Sequence, residues 1–238
     1  MDHSLKHLAI ILDGNGRWAE RESKPRSYGH KVGFEKIEEL CEWTIEQDIR
    51  YLSLFCFSTE NWKRDINEVS YLFNLISTFY KRYKKFSTKH KIKVIWVGRR
   101  TKISADIKEK LELLENKTNI KDQILTLNLC IDYGSLEEIK YSIANILNDY
   151  KDKNTFLKNF QEIDLFKYMY TNQSPPVDFL VRPGGENRVS NFLLLQLYYA
   201  ELYFCDKYWP EFNKNDFQEA IENYYSRKRR FGDVLKNE

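Results

Sequence analysis

The sequence predicts an α/β domain with a largely parallel sheet, and three observations predict it. Short apolar runs of strand character alternate with stretches of helical periodicity along the 238 residues. Polar clusters, most of them glycine-bearing, follow the apolar runs, and in parallel sheets ligands bind outside the carboxyl ends of the strands. No internal repeat or low-complexity tract breaks the alternation.

The first run, Leu8 to Leu12, ends abruptly at Asp13. Gly14 and Gly16 bracket Asn15, so the backbone can turn tightly and approach a ligand. Arg17, Trp18 and Ala19 open a helix-compatible stretch, and Lys24-Pro25-Arg26 reads as a loop. Tyr28 to Gln47 reads as one helix, with His30 in its first turn and Val32, Ile37, Leu40, Cys41 and Ile45 near helical spacing. Arg50 to Phe57 is the second strand, followed by the polar stretch Ser58 to Arg64. Asp65 and Glu68 have capping-box spacing and open a long helix whose apolar face includes Val69, Leu72, Phe73, Ile76 and Tyr80.

Ile92 to Val97 is the third strand, closed by Gly98-Arg99-Arg100, and Ser104 to Lys117 is a charged helix with a leucine stripe. Ile124 to Ile131 is the fourth strand, leading through Asp132-Tyr133-Gly134-Ser135 into a helix that ends near Tyr150. Residues 151–176 read as short helices, and Val177 to Val181 is the fifth strand. The loop Arg182 to Ser190 follows, then a buried segment from Asn191 to Phe204 and a break at Trp209-Pro210. A final helix from about Asn213 ends in Arg227-Lys228-Arg229-Arg230-Phe231-Gly232.

Hydrophobic content of 42% and charged content of 31% fit a soluble globular protein with a sizeable core. A net charge of only +3 gives no strong global field for nucleic acid. Cys41, Cys56, Cys130 and Cys205 are far apart, with no CxxC pair, which points to buried free thiols in a reducing compartment rather than a zinc site. The N-terminus has no long apolar stretch and no run spans a bilayer, so the expected location is the cytoplasm.

The clusters after the strands would share one edge of a parallel sheet, an edge rich in arginine and glycine and poor in acids. That edge suits one or two polyanionic ligands. Arg182, Arg188 and Ser190 surround the Gly184-Gly185 turn, and guanidinium forks suit diphosphate oxygens; the alternative is a solvated loop. Asp13 beside a phosphate would be repelled by roughly 4 kcal/mol at about 4 Å and an effective dielectric near 20. A divalent cation between them reverses the sign, and Mg²⁺ favours one or two carboxylates plus substrate oxygens. The alternative is an aspartate capping a helix. There is no GxxxxGK[ST] and no GxGxxG followed by an acid, which disfavours a P-loop or a dinucleotide fold.

His7 through Ala19 resembles the signature of the cis-prenyltransferases of the undecaprenyl diphosphate synthase type. The resemblance recurs at Gly29-His30, at Phe57-Ser58-Thr59-Glu60-Asn61-Trp62-x-Arg64 and at Asp178-x-x-x-Arg182-x-Gly184-Gly185-Glu186-x-Arg188-x-Ser190-Asn191-Phe192-Leu193. It continues through Tyr199 to Phe204, Trp209-Pro210 and Arg229 to Gly232, and so covers nearly the whole chain. It implies one catalytic domain over residues 1–238, a parallel sheet flanked by helices around a hydrophobic tunnel, and a homodimer. The implied reaction adds isopentenyl diphosphate units in cis to an allylic diphosphate such as farnesyl diphosphate. The implied product is a long-chain polyprenyl diphosphate of the undecaprenyl kind, a lipid-carrier precursor for cell-wall synthesis, handed over at the membrane surface.

By that resemblance Asp13 carries Mg²⁺, with Glu201 at a second position the family assigns to the metal; the alternative for Glu201 is a structural carboxylate near the dimer contact. Gly14, Asn15, Gly16, Arg17, Trp18, Arg26 and His30 are expected around the allylic diphosphate. Ser58, Thr59, Glu60, Trp62 and Arg64 are expected in the substrate loop, with Trp62 either a mobile cover or simple packing. Arg182, Arg188, Val189 and Ser190 would hold isopentenyl diphosphate, and Arg230 and Gly232 would reach that subsite across the dimer. Asn61 matches the position the family treats as proton acceptor; an amide is a very poor base, so it reads as an orienting group. Val69 to Tyr83 and Leu125 to Leu129 are candidate tunnel walls, and either stripe could equally be ordinary core. Other readings are a non-catalytic subunit of a heteromeric prenyltransferase and a Mg²⁺-dependent phosphate-ester hydrolase. Such subunits typically lack the catalytic aspartate and the arginines, which this chain keeps.

Overall fold

A computed structural model describes residues 4–229. Six strands form one sheet: β1 (His7–Ile11), β2 (Tyr51–Ser58), β3 (Ile92–Val97), β4 (Leu125–Tyr133), β5 (Phe179–Pro183) and β6 (Glu201–Cys205). Their order is β3-β4-β2-β1-β5-β6, and all five pairings are parallel. β1, β4 and β5 are buried along their whole length, as strands covered on both faces must be.

The helices are α1 (Asn15–Arg21), α2 (Arg26–Glu35), α3 (Ile37–Glu46), α4 (Ile66–Lys89), α5 (Ala105–Thr118), α6 (Ser135–Asp149), α7 (Lys153–Asn159) and α8 (Lys214–Ser226). Alternation along the strands sorts the core into two layers. Leu8 and Ile10 of β1 and Leu127 and Leu129 of β4 join the layer with Leu40 of α3, Leu72 and Ile76 of α4, Leu111 of α5 and Phe217 of α8. Ala9 and Ile11 of β1 join the other layer, with Cys130, Tyr133, Phe192 and Leu193. All four cysteines are free thiols. Among the described residues no helix is long and apolar enough to cross a membrane.

The structure departs from the sequence expectations in five places. The helix expected over Tyr28 to Gln47 is two, divided at Lys36. α2 buries Gly29, His30 and Gly33, whereas α3 buries Ile37, Leu40, Cys41 and Trp43, so one stripe spans two differently packed faces. The stretch after β2 coils into a 3₁₀ turn, Thr59–Lys63. Asp65 caps α4 by accepting from the Asn67 amide at 2.8 Å, but Glu68 turns to cationic side chains instead of closing a capping box. The segment after Ser190 is not continuously buried: Phe192 and Leu193 are, while Leu194, Tyr198 and Tyr199 are exposed. Its end, Glu201–Cys205, is the sixth strand, whose half-exposed residues on the sheet edge leave no clean apolar run to read. The last helix ends at Ser226, before the basic residues.

Candidate active site

Parallel strands put the ends of β1, β2 and β5 side by side, and the chain leaving each one lines a cleft of about 610 Å³. β1 delivers Asp13 and the glycine turn. Gly14 sits at φ +94°, and a Cβ there would lie 2.5 Å from the Tyr208 ring, so only glycine fits. The first turn of α1 leaves its amides without helical acceptors at the cleft. Gly29 of α2 abuts the Asn15 carbonyl so closely that a Cβ would stand 1.9 Å from the oxygen. Trp209, fully buried, locks this corner: its amide donates to the Asp13 carbonyl at 2.9 Å and its indole N–H to the Gly33 carbonyl at 2.9 Å.

Asp13 is held by both arginine-bearing segments. Arg182 Nη2 donates to Oδ2 at 2.8 Å, the Gly14 amide donates to Oδ1 at 2.6 Å, and Arg17 lies 3.2 Å from Oδ1. Burial opposes the charge, yet the Arg182 hydrogen bond and charge, helped by Gly14 and Arg17, hold the carboxyl below its ordinary value. Asp13 is therefore ionised near neutral pH.

Arg182 is 4% exposed, and its other Nη donates to Ser190 Oγ at 2.8 Å and to the Arg188 carbonyl. Its Nε is buried and has no hydrogen-bond partner among the described residues. The loop that wraps it is strained: Gly184 and Gly185 have φ of +108° and +74°, and Ser190 and Asn191 are also left-handed. Arg188 reaches outward, paired with Glu186 at 2.5 Å, and Glu186 also meets Arg17 at 3.4 Å.

At the mouth of the cleft three cationic or potentially cationic groups converge on Glu68. Arg64 approaches it at 2.9 Å, His30 Nε2 at 3.3 Å and Arg26 at 3.4 Å. Burial raises the Glu68 carboxyl, but Arg64, Arg26 and His30 bring it below its ordinary value. Burial lowers the His30 imidazole against the pull of Glu68, so His30 is neutral near pH 7.

Asn61 lines the cleft too. Its Oδ1 accepts the Ser58 amide at 3.0 Å, which leaves the side-chain NH₂ as the group free to meet a ligand. That is a donor, in keeping with an orienting role and not with a base.

Of the expected residues, Asp13, Gly14, Asn15, Gly16, Arg17, Arg26 and His30 all line this one cleft. So do Ser58, Glu60, Asn61, Arg64, Arg182, Arg188 and Ser190. Trp18 instead stacks on Tyr28, and Thr59 and Val189 do not line the cleft. Trp62 is packed under the site, against Phe57 and Phe73, with its indole N–H on Asp132 at 2.7 Å. Arg230 and Gly232 lie outside the described residues. Glu201 pairs in register with Phe179, and Phe179 with Leu8, at the amino end of the strands. It is bound there by Arg227 at 2.8 Å, about 16 Å of strand from the Asp13 end, so one chain does not bring the two carboxylates together.

Sequence reasoning passed over Glu186 as a site group, although it joins Arg17 to Arg188. It also passed over Tyr208, whose ring lies 5.3 Å from the guanidinium of both Arg17 and Arg21, and Gly33 and Phe34 on the cleft wall. Cation–ring contact between residues so far apart in sequence has no local signature.

The described residues contain no group of three or more His, Cys, Asp or Glu able to hold a metal unaided. The donor set does fit Mg²⁺ taken up with a diphosphate: one ionised carboxylate at a cleft with room for substrate oxygens to complete the shell.

Comparison with known proteins gives one answer. Residues 11–232 match the family model described as "Putative undecaprenyl diphosphate synthase". The isoprenyl transferase of Leptospira interrogans is 40% identical over 230 residues, covering 95% of this chain and 94% of its own. That of Fusobacterium nucleatum is 41% identical, with 96% of each chain covered. Among solved structures, lavandulyl diphosphate synthase from Lavandula x intermedia, in complex with dimethylallyl diphosphate, superposes with a TM-score of 0.88 at 25% identity over 97% of this chain and 99% of its own. "A probable undecaprenyl diphosphate synthase" from Campylobacter jejuni gives a TM-score of 0.78 at 31% identity, covering 98% and 100%.

Proposed function

We propose a reaction from one premise: this chain belongs to the undecaprenyl diphosphate synthase family of isoprenyl transferases. It joins isopentenyl diphosphate to an allylic diphosphate, farnesyl diphosphate first, in the cis configuration, and repeats the step to a long polyprenyl diphosphate. The observation that carries this reading is the convergence of Asp13, Arg17, Arg182 and Ser190 on one cleft, which gives two adjacent places for a diphosphate.

In each round the C–O bond of the allylic diphosphate breaks, its C1 bonds to C4 of isopentenyl diphosphate, a diphosphate oxygen takes the proton that leaves C2 of the isopentenyl unit, and inorganic diphosphate is released. The turn Gly14 to Arg17, with Arg26 and His30, holds the allylic diphosphate. Arg182, Arg188 and Ser190 hold the isopentenyl diphosphate. Arg182 bridges the two subsites, since one Nη reaches Asp13 and the other Ser190. Preorganised donors of this kind stabilise charge as it develops on the leaving group. Asn61 orients through its NH₂. Mg²⁺, held by Asp13 and diphosphate oxygens, would supply neutralisation of the leaving diphosphate; Glu201 has no part in that set within one chain. Apolar side chains behind the cleft receive the tail. Residues 1–238 act as one catalytic domain, in a homodimer, in the cytoplasm or at the membrane surface where the product is used.

The test is incubation with labelled isopentenyl diphosphate, farnesyl diphosphate and Mg²⁺, with and without chelator, followed by sizing of the extracted lipid. A chelator-sensitive polyprenyl ladder is expected. Release of inorganic phosphate without elongation would favour a hydrolase instead.

A further inference from the structure

The register between β2 and β4 slips twice beside the cleft. Phe55 faces Cys130, Phe57 faces Ile131 and Ser58 faces Tyr133, so Cys56 and then Asp132 stand without an opposite residue. Asp132 is the extra residue of a bulge on β4, with a left-handed backbone at φ +52°. Aspartate tolerates that conformation better than most side chains. A bulge re-aims a side chain that the regular pleat would send elsewhere. Here it sets a wholly buried carboxylate against Trp62 of the turn Thr59–Lys63.

Asp132 Oδ1 accepts the Trp62 indole N–H at 2.7 Å, and Arg99 closes on both carboxylate oxygens at 2.9 and 3.0 Å. Arg99 thereby supplies the cation that a buried carboxylate needs, and its amide donates to the Asp132 carbonyl at 3.1 Å. Trp62 so ties the turn after β2 to the chain leaving β3 and β4. Its neighbour Asn61 lines the cleft, with Oδ1 on the Ser58 amide. At the other end of the turn Glu60 accepts from Asn191 at 2.9 Å, an exposed tether. The Trp62 tether instead ends on a buried charge, and hydrogen bonds to charged acceptors are the stronger kind.

We propose that Asp132 is a positioning residue: through the Trp62 indole N–H it fixes the turn that presents the Asn61 side-chain NH₂ to the substrates. This role rests on the proposed elongation reaction. Asp132 and Trp62 both lie outside the lining of the cleft, so their effect reaches the substrates through Asn61. Misplacing a group that orients reactants by about 1 Å costs up to about 10²-fold in rate.

The experiment compares steady-state kinetics of wild type, Trp62→Phe, Asp132→Asn, Asp132→Ala, Asn61→Ala and the double variant Trp62→Phe/Asn61→Ala, each shown to be folded by circular dichroism. Trp62→Phe keeps an aromatic ring and leaves the Asp132–Arg99 pair intact, so it stays informative should Asp132→Ala not fold. Asp132→Asn keeps an oxygen for the indole, while Arg99 has Glu137 as a second carboxylate at 3.9 Å. Expected is a kcat lowered about tenfold or more in Trp62→Phe and Asp132→Ala, with both KM values within about threefold of wild type. Asp132→Asn should bring kcat back to within about threefold of wild type. The double variant should lose no more than Asn61→Ala alone, because groups that act as a unit are not additive. Wild-type kcat in Trp62→Phe, a loss confined to KM, losses that multiply in the double variant, or an Asp132→Asn as impaired as Asp132→Ala each overturn the positioning role and leave the elongation reaction intact. A wild type that makes no polyprenyl overturns the reaction, and the positioning role falls with it.

Discussion

Asp13 and Arg182 stand 169 positions apart in the chain and 2.8 Å apart in the fold. The pairing follows from topology. β1 and β5 are neighbours in a parallel sheet with Ile10 opposite Val181, so the residues leaving both strands meet at the same edge. A carboxylate and a guanidinium from two distant segments are thereby held as one ion pair at the cleft.

Replacing Asp13 with Ala is expected to lower turnover by at least about 10²-fold, the scale of losing one well-placed electrostatic group. Stability should fall by about 1–3 kcal/mol, because the buried Arg182 loses its carboxylate but keeps Ser190 and the Arg188 carbonyl as acceptors, and Asp13 is itself part-exposed. Steady-state kinetics beside thermal unfolding checks both. Activity near wild type in a folded Asp13→Ala protein would remove Asp13 from the metal and diphosphate role.

The Arg188 side chain is a different kind of group, mostly exposed and paired with Glu186. Arg188→Ala should raise KM for isopentenyl diphosphate roughly tenfold, with KM for the allylic substrate little changed, as expected for loss of a binding contact at one subsite. Equal rises in both constants would place Arg188 elsewhere.

Gly29 tests how the glycine turn is supported. A methyl group there would sit 1.9 Å from the Asn15 carbonyl oxygen and 3.0 Å from the Ala19 Cβ, and neither can step aside without moving α1 from α2. Gly29→Ala should cost about 1–3 kcal/mol, as overpacking does, and lower activity by displacing the turn. Denaturant unfolding that gives wild-type stability would contradict this packing.

Beneath the cleft, Asp132 is wholly buried and receives two hydrogen bonds from Arg99, at 2.9 and 3.0 Å, and one from Trp62. Arg99→Ala leaves that carboxylate without its cation and should destabilise the fold by about 3–5 kcal/mol. A loss below about 1 kcal/mol in urea unfolding would show that the pair contributes little.

His7 links stability to pH. It is fully buried: Nδ1–H donates to the Pro175 carbonyl at 2.7 Å, so Nε2 is the acceptor for the Ser53 hydroxyl, also at 2.7 Å. Burial lowers its pKa from 6.5 to about 4, against the opposing pull of the Pro175 carbonyl and Asp178. Above pH 6.5 folded and unfolded chains both hold it neutral. As pH falls from 6.5 towards 4 the unfolded chain gains a proton that the folded one refuses, so stability drops by on the order of 3 kcal/mol across that window. Urea unfolding from pH 7 to 4 reads the slope, and His7→Gln should make it shallower. An equal slope in the variant would contradict the assignment.

Much of the site was legible because it sits where strands end. The break after Leu12, the arginines around Gly184-Gly185 and the polar stretch after Phe57 are local patterns, and a parallel sheet brings them together. What was not legible depends on distant contacts. The division of the first long helix at Lys36 reflects a change of packed face, and the edge strand Glu201–Cys205 lacks a buried alternation. The place of Glu201 depends on strand register, which within one chain puts it at the opposite end of the sheet from Asp13. Trp62, which the sequence left open between a cover and packing, is bonded beneath the site to Asp132.

The central claim is that both diphosphates bind in the cleft at the carboxyl end of the sheet. The most direct measurement is a crystal structure with isopentenyl diphosphate, Mg²⁺ and an unreactive thio-analogue of farnesyl diphosphate. Expected are one diphosphate against the Gly14 to Arg17 turn, the other on Arg182, Arg188 and Ser190, and the farnesyl tail on the apolar wall at Phe34 and Leu72. Either diphosphate bound away from these residues, or a tail lying off that wall, would contradict the two-subsite cleft.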